Sequence, residues 1–278
     1  MRCFSLRHLP TVLTVVVLSI CANQVFARDA VGVERLIGQA ARGRPPVLWL
    51  STDPEYNRGS GPGEWQANSG GRLVARGTDA WGRTNAAFGL SVDAEGGAAL
   101  AGSTACSPIS PKAGSVVLFF RVDAAATPPQ LLFSNSDWGQ PNFLSLRINA
   151  VHGRQELTLG VSDQSVPGKA VQTSFATLAP GSWNFVALVW EEVGGGCLFR
   201  LWAGDLESGE LTEGERRVPP FSDRPGLFLL AGRRADTVAS YRTQPLLFSG
   251  GLYSNIAIFD EALTEDMVKR IYTAATLR

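Results

Sequence analysis

The sequence predicts an all-β fold: a two-sheet antiparallel jelly-roll sandwich with a short helix near each end. Three observations lead to this prediction. From Gly114 onward, short apolar or alternating segments follow one another, separated by Gly, Pro and Asn residues. No internal repeat or low-complexity tract interrupts them. Apolar residues recur at helical spacing in residues 28–42, and a helix N-cap stands near the other end, at Thr264.

The first 27 residues have the pattern of a signal peptide. A basic start precedes an apolar run from Val12 to Ile20, which is shorter than the roughly 20 residues that a membrane-spanning helix needs. Val25 and Ala27 place small residues at the −3 and −1 positions, so cleavage after Ala27 is expected. The mature chain is then exported to the periplasm, the cell surface or the medium. An uncleaved anchor and a lipoprotein carrying its lipid on Cys21 are the alternatives.

Composition argues against several classes of partner. The 25 basic residues balance the 25 acidic residues, so neither nucleic acid nor an anionic membrane is favoured as a ligand. Hydrophobic residues make up 45% of the chain, which is enough to fill a core, so wholesale disorder is not expected. No apolar stretch after the signal approaches the length of a membrane span, so the mature chain is expected to lack one.

The cysteines predict one disulfide bond. Two of the four leave with the signal peptide, and Cys106 and Cys197 remain, an even number in an oxidising compartment. A bond that closes so long a loop stabilises the fold by about 4–5 kcal/mol on the chain-entropy estimate. Two free buried thiols are the alternative.

Residues 28–44 are predicted to form an N-terminal helical segment. Apolar residues recur there at helical spacing, and the pair Pro45–Pro46 ends the helix. The sandwich domain is expected to span residues 45–278, with Val47–Leu50 as its first strand. The Gly-rich stretch that follows reads as a long loop.

The central strands predict a register that can be checked. Ser115–Val122 is apolar on both faces, as in a strand covered on both sides. Phe143–Asn149 and Glu156–Ser162 alternate in polarity and form a hairpin around His152–Gly153. Pairing Val151 with Arg154 places Leu144, Leu146 and Ile148 opposite Val161, Leu159 and Leu157, and a slip of one residue would break every pair.

The remaining elements complete the sandwich. Strands are predicted over Trp183–Trp190, Cys197–Ala203, Leu227–Ala231 and Leu252–Phe259. A C-terminal helix follows, with Thr264 as its N-cap and acidic residues in its first turn. Leu263 and Val268 stand at the positions of a hydrophobic staple.

Several of these segments resemble a known superfamily. Gly181–Trp190 resembles the central strand of laminin-G-like jelly-roll domains, in which a turn glycine precedes Trp and an apolar run. Phe248–Leu263 is similar to the closing strand and the start of the last helix. Gly89–Asp93 and Ser115–Val122 resemble the early strands. The likeness to the laminin-G-like and concanavalin-A-like lectins and glucanases covers residues 45–275 and implies their sandwich fold.

One departure from that resemblance concerns function. Members of the superfamily often carry an acidic pair after the glycine of the closing strand. This chain has Ser254 and Asn255 at those positions, so a role that needs these acids is not expected here.

The supply of catalytic side chains is small. After the signal peptide the one histidine is His152, at a predicted hairpin tip, which argues against a Ser-His-Asp arrangement and a multi-histidine zinc site. Glycoside hydrolysis needs two carboxylates that flank the bond. The nearest acidic string, Asp205–Glu210, contains a turn, and Glu191 and Glu192 point to opposite faces of a strand. No catalytic residue is predicted.

Five residues are candidates for ligand binding. In one polar loop, Asn135 and Asp137 offer oxygen atoms, and Trp138 offers a ring on which a sugar can stack. A turn with local side-chain hydrogen bonds is the alternative for this loop. Arg147 points outward from its strand. Trp202 shares a strand face with Arg200, although a core position is the alternative for this ring.

No cofactor is expected, and calcium bound by Asn135 and Asp137 is the one structural ion that the loop suggests. The predicted function is therefore an exported, non-catalytic binding or adhesion module for a glycan or a cell-surface protein. Two alternatives stay open. One is a divergent carbohydrate-active enzyme, either a glycoside hydrolase or a polysaccharide lyase, and the other is a structural or assembly protein of the cell envelope.

Overall fold

A computed structural model describes residues 30–51, 58–59, 71–75, 77–92, 99–100, 112–123, 129–134, 144–162, 170–218, 229–230 and 251–276. The helices in this part are α1 (Ala30–Gln39) and α2 (Glu265–Thr276). The strands are β1 (Leu48–Ser51), β2 (Arg58–Gly59), β3 (Gly71–Ala75), β4 (Phe88–Val92), β5 (Ala99–Leu100), β6 (Ala113–Val122), β7 (Gln130–Ser134), β8 (Leu144–Val151), β9 (Arg154–Ser162), β10 (Ala170–Thr177), β11 (Trp183–Val193), β12 (Gly196–Asp205), β13 (Leu211–Val218), β14 (Leu229–Leu230) and β15 (Gly251–Phe259). The predicted signal peptide lies outside the described residues.

The strands form two antiparallel sheets, which confirms the predicted fold class. The larger sheet has nine strands, of which seven follow the order β13-β12-β11-β6-β15-β1-β2, while β4 pairs with β15 and β3. The smaller sheet has six strands in the order β10-β9-β8-β7-β14-β5. Neighbours far apart in sequence, such as β6 and β15, lie side by side, as in a jelly roll.

The main core fills the space between the two sheets. Leu118 of β6 and Leu188 of β11 face Leu146 of β8 and Leu159 of β9, and all four side chains are buried. The Tyr253 hydroxyl donates a hydrogen bond to the Leu132 carbonyl oxygen at 2.7 Å, which joins the sheets directly. Removal of this apolar surface from water is the main stabilising term of the sandwich.

A second core covers the other face of the larger sheet. Helices α1 and α2 contact each other there. Val33 and Ile271 of these helices pack in one cluster with Phe119, Phe185 and Ala257 of the sheet. The larger sheet is thus buried on both faces. This arrangement explains why the middle segments of β6 and β11 are apolar on both faces instead of alternating.

The hairpin of β8 and β9 has the predicted register. Val151 pairs with Arg154, and Leu144, Leu146 and Ile148 pair with Val161, Leu159 and Leu157. His152 and Gly153 both have positive φ, at 48° and 76°, as the two-residue turn that joins such strands requires.

The predicted start of α2 is also found. The Thr264 Oγ1 atom accepts a hydrogen bond from the Met267 backbone N–H at 3.3 Å, which confirms the N-cap of α2. Leu263 and Val268 are buried in the same cluster. Helix α1 is shorter than the predicted segment and ends at Gln39. In the described residues, neither helix has the length and apolar character needed to cross a bilayer.

Tyr272 of α2 holds the turn between β12 and β13. Its hydroxyl lies 2.9 Å from the Asp205 carbonyl oxygen and 2.8 Å from the Glu210 carbonyl oxygen. Gly204 makes room for the ring, because a Cβ atom there would lie 2.6 Å from Tyr272 Cε2. Burial, followed by the charges of Asp205 and Glu210, raises the pKa of Tyr272 to about 12.

This pKa predicts a loss of stability at alkaline pH. The unfolded pKa of tyrosine is about 10, and the folded pKa of Tyr272 is higher, at about 12. The unfolded state therefore releases the proton first. The contribution of Tyr272 is complete below about pH 10 and is lost as the pH rises toward about 12.

Urea unfolding of the wild type and Tyr272→Phe between pH 7 and pH 11.5 measures this loss. At pH 7 the variant should be less stable by about 0.5–1.5 kcal/mol, because it removes the one hydroxyl donor that two partly buried carbonyl oxygens share. The gap should close as the pH rises. A gap that stays constant over this pH range would show that Tyr272 does not titrate as its burial implies.

Candidate ligand-binding site

The outer face of the smaller sheet is polar. Side chains alternate along a strand, so the residues between the core leucines and valines of β8 and β9 point away from the core. The strand register arranges them in three rows across β7 to β10. The rows are Ser134, Ser145, Gly160 and Gln172; then Leu131, Arg147, Thr158 and Ser174; then Asn149, Glu156 and Thr177.

Part of this face is accessible to solvent. Gln172, Ser174 and Thr177 on β10 are exposed, whereas Arg147, Asn149 and Glu156 are half-buried. These six residues are called the polar patch. Its floor is formed by the buried side chains of Ser145 and Thr158. The Thr158 and Ser174 hydroxyl oxygens lie 3.3 Å apart and share a hydrogen bond.

Ser145 provides a buried hydroxyl group on the floor of the patch. Its side chain is fully buried and lies two residues before Arg147 on the same strand. In the described part of the chain, its Oγ atom makes no hydrogen bond. A buried hydroxyl without a partner costs about 1–3 kcal/mol, so such groups are normally satisfied by bound water or a ligand.

Arg147 is the charged side chain nearest the centre of this face, as far as the structure describes it. On the described positions of the face, the charged side chains are Arg147, Glu156 and Arg154, of which Arg154 lies at the hairpin tip. Arg147 is on the middle row of an interior strand, and its Nε and Nη2 atoms are shielded from solvent. A guanidinium presents five N–H donors in a plane, which suits a carboxylate.

Trp202 is not part of a surface site, and its prediction as a ligand-binding residue is wrong. Its side chain is fully buried in the core between the larger sheet and the helices. The sequence correctly indicated that Trp202 shares a strand face with Arg200, but α2 covers the tryptophan end of that face. Arg200 lies nearer the sheet end, where its Nη1 atom pairs with Glu191 Oε1 at 3.1 Å.

The other predicted site residues fall outside the described part of the chain. Asn135, Asp137 and Trp138 are among them, so their role stays a prediction. No group of three His, Cys, Asp or Glu side chains placed to hold a metal ion occurs among the residues that the structure describes.

The predicted disulfide is likewise untested, because Cys106 is outside the described ranges. Cys197 is buried at the start of β12. Burial, with a smaller effect of the Glu192 charge, raises the pKa of its thiol to about 12. As a free thiol, Cys197 would therefore react slowly with alkylating reagents.

The buried acids of the described residues lie on the opposite side of the larger sheet. Glu34 of α1 and Asp79 are both almost fully shielded from solvent, and Arg83 lies between them. The Arg83 Nη2 atom is 3.2 Å from Glu34 Oε1, and its Nε atom is 2.6 Å from Asp79 Oδ2. These two carboxylates therefore hold an arginine and are separate from the polar patch.

The two positions at which the resemblance implied acids belong to the same network. Asn255 Oδ1 accepts a hydrogen bond from Trp49 Nε1 at 2.6 Å. Ser254 Oγ accepts one from the Ala80 backbone N–H at 3.3 Å. The Ser51 hydroxyl donates to Glu34 Oε1 at 2.6 Å. Sequence reasoning missed this network, because its members are scattered over more than 200 positions.

Comparison with known proteins shows the fold. The sequence matches no protein-family model, and no curated protein matches it. The structure is similar to the binding domain of botulinum neurotoxin serotype D/C, with a TM-score of 0.52 and 12% identity over 83% of this chain and 52% of that one. It is also similar to a structure of botulinum neurotoxin type C, whose cell entry is described as dependent on two ganglioside molecules (TM-score 0.50, 11% identity, 84% and 51% covered).

A smaller likeness is to the CBM40 domain of the Ruminococcus gnavus IT-sialidase, solved with α2,6-sialyllactose (TM-score 0.42, 17% identity, 58% and 84% covered). The chain spans about half the length of the two toxin structures. At these identities the likeness to the toxin structures shows the sandwich fold and nothing about the ligand.

Proposed function

We propose that this protein is an exported, non-catalytic glycan-binding module that binds its ligand on the polar patch. The observation that carries the proposal is the ordered set of hydroxyl, amide and guanidinium groups on the outer face of the smaller sheet. Laminin-G-like sequence segments support a lectin-like module of the same superfamily. The signal-peptide pattern of residues 1–27 supports export to the periplasm, the cell surface or the medium.

The rows of the polar face suit a sugar. Neighbouring strands are about 4.8 Å apart, so each row presents its polar groups at regular steps across the sheet. Asn149, Gln172 and Ser174 provide both donors and acceptors, which hydroxyl recognition requires. Because β7 ends at Ser134 on this face, Asn135, Asp137 and Trp138 are included as proposed contacts. Trp138 would supply a stacking ring, and the two acidic or amide side chains would supply oxygen atoms for calcium.

Two observations support a binding role instead of hydrolysis. The patch has one carboxylate, Glu156, whereas cleavage of a glycosidic bond needs two. Glu34 and Asp79, the buried carboxylates in the part of the chain that the structure describes, are both engaged by Arg83 on the far side of the larger sheet. A protein surface is the second class of partner, and protein binding would be expected to survive removal of all glycans from the target.

A glycan array with the purified mature chain tests this proposal. Wild-type protein is expected to bind at least one class of glycan, and the panel should include gangliosides and sialyllactose. The double variant Asn149→Ala/Gln172→Ala should bind about tenfold or more weakly, because each lost hydrogen bond is worth about 0.5–1.5 kcal/mol.

The matched control is Thr212→Ala/Arg216→Ala, which removes two exposed polar side chains from β13 of the other sheet. This control should bind like the wild type, and both variants should keep the wild-type circular dichroism. Absence of binding to every glycan, or equal binding by the patch variant and the control, would refute the proposal.

A further inference from the structure

We infer that the polar patch selects a glycan with one carboxylated sugar and that Arg147 binds the carboxylate. This inference rests on the proposed function and adds the chemical class of the ligand. The observation behind it is the place of Arg147, at the centre of the middle row between Leu131 of β7 and Thr158 of β9.

The surroundings of Arg147 strengthen its hydrogen bonds. Leu131 and Thr158 on either side are almost fully buried, and the guanidinium is itself half-buried. Charge-assisted hydrogen bonds are shorter and stronger than neutral ones, and the low local dielectric screens them less. A guanidinium has five donors, so it can bind the two oxygens of a carboxylate beside any contact that it makes within the protein.

The groups next to Arg147 fit the rest of such a sugar. Ser145 Oγ is buried on the same strand and makes no hydrogen bond among the described residues, so it can bind a sugar hydroxyl. Ser174 is exposed on the same row as Arg147 and shares a hydrogen bond with Thr158.

The distribution of charge limits the ligand to one acidic group at this place. Glu156 lies in the next row, on the strand beside Arg147, and would repel a second carboxylate there. The protein has no formal net charge, so no long-range field favours polyanions. The patch therefore fits an isolated acidic sugar with neutral neighbours better than a continuous chain of uronic acids.

The test compares a ligand with and without its charge. Isothermal titration is carried out with 3′-sialyllactose and with the same compound after reduction of its carboxyl group to an alcohol. A second pair is a glucuronic-acid disaccharide and its reduced, neutral form. For at least one pair, the wild type should bind the acidic form about 10- to 100-fold more tightly, the value of hydrogen bonds to a charged group.

Variants then locate the effect. Arg147→Gln keeps much of the side-chain volume, and it should bind the acidic and reduced forms with equal affinity. Arg147→Lys should keep part of the preference, because it retains the charge but loses the bidentate geometry. Arg216→Gln on β13 is the matched control and should keep the full preference.

The outcomes separate the inference from the function on which it rests. Binding of glycans with equal affinity for acidic and reduced forms would overturn the inference and leave the proposed function in place. A preference that survives in Arg147→Gln would also overturn it, by locating the charge recognition elsewhere. Failure of the wild type to bind any glycan on the array refutes the proposed function itself. Because the wild-type comparison needs no substitution, it decides the ligand class even if Arg147→Gln fails to fold.

Discussion

Replacing Arg83 with methionine is expected to lower the free energy of unfolding by about 3 kcal/mol. The change leaves the carboxylates of Glu34 and Asp79 buried without their shared cation. Loss of one partner from a buried ion pair costs 3–5 kcal/mol, and the lower end applies because 32% of the Arg83 side chain is accessible. Burial lowers the pKa of Arg83, but the hydrogen bonds and charges of Asp79 and Glu34 together raise this pKa by a larger amount. The guanidinium therefore stays charged in the native state.

Urea unfolding at pH 7 measures the effect. The control is Arg42→Met, since Arg42 is 91% accessible and lies 4.0 Å from Glu261, and an exposed pair of this kind is worth at most about 1 kcal/mol. The double variant Glu34→Gln/Arg83→Met should recover part of the loss, because a neutral amide leaves one fewer buried charge. Equal effects of the Arg83 and Arg42 substitutions would contradict the assignment of Arg83 as a buried ion-pair partner.

Gly114→Ala is expected to destabilise the fold by about 3 kcal/mol or more. Gly114 of β6 pairs directly with Trp190 of β11, and the indole ring lies over the glycine. A Cβ atom at this position would be 2.2 Å from Trp190 Cζ2, and the ring is fully buried and cannot move aside. Added atoms in a packed core typically cost 1–3 kcal/mol, and a clash this close belongs at the upper end or beyond.

Gly38→Ala is the matched control for this prediction. Its Cβ atom would make ordinary contact with Trp49, at 3.4 Å, and alanine favours the helix by about 1 kcal/mol. Trp190→Phe in the Gly114→Ala background should restore part of the stability, so the two substitutions should not be additive in thermal or urea unfolding. Additive losses would show that the glycine is not required by the ring.

The sequence predicts the fold best where burial of a strand face requires a regular pattern of apolar residues. Leu144, Leu146 and Ile148 alternate with polar residues because one face of β8 is in the core, and this pattern alone gave the register of the hairpin. The apolar run of β6 predicted a strand that is covered on both faces, and α1 and α2 provide the second cover.

The parts that could not be predicted lack such a pattern. Strand β13 is mostly exposed and rich in charge, so its hydrogen-bonded place at the sheet edge has no apolar signal. Strand β10 carries a register shift between Ser174 and Ala176 that interrupts its alternation. No strand was predicted from the sequence over the residues of β10, and this strand forms part of the candidate site. Sequence reasoning placed Arg147 on an outward face with Ser145 and Asn149, but it could not supply the neighbours on β10.

Trp202 and the Glu34–Arg83–Asp79 network show a second reason why part of the structure could not be predicted from the sequence. A tryptophan on a sheet face is exposed or buried depending on what packs over it, and here α2 does so from more than 60 positions away in the sequence. Glu34 and Arg83 are 49 positions apart and belong to different elements. Neither relation repeats along the chain, so no periodicity reveals it.

The position of the two helices decides how the protein can be displayed. Helices α1 and α2 contact each other on the outer side of the larger sheet, whereas the polar patch is on the outer side of the smaller one. A biotin tag or a surface linker attached near either helix therefore faces away from the patch. Sensor chips and arrays can be prepared by immobilising the protein through a residue on either helix, with the candidate site directed toward the solution.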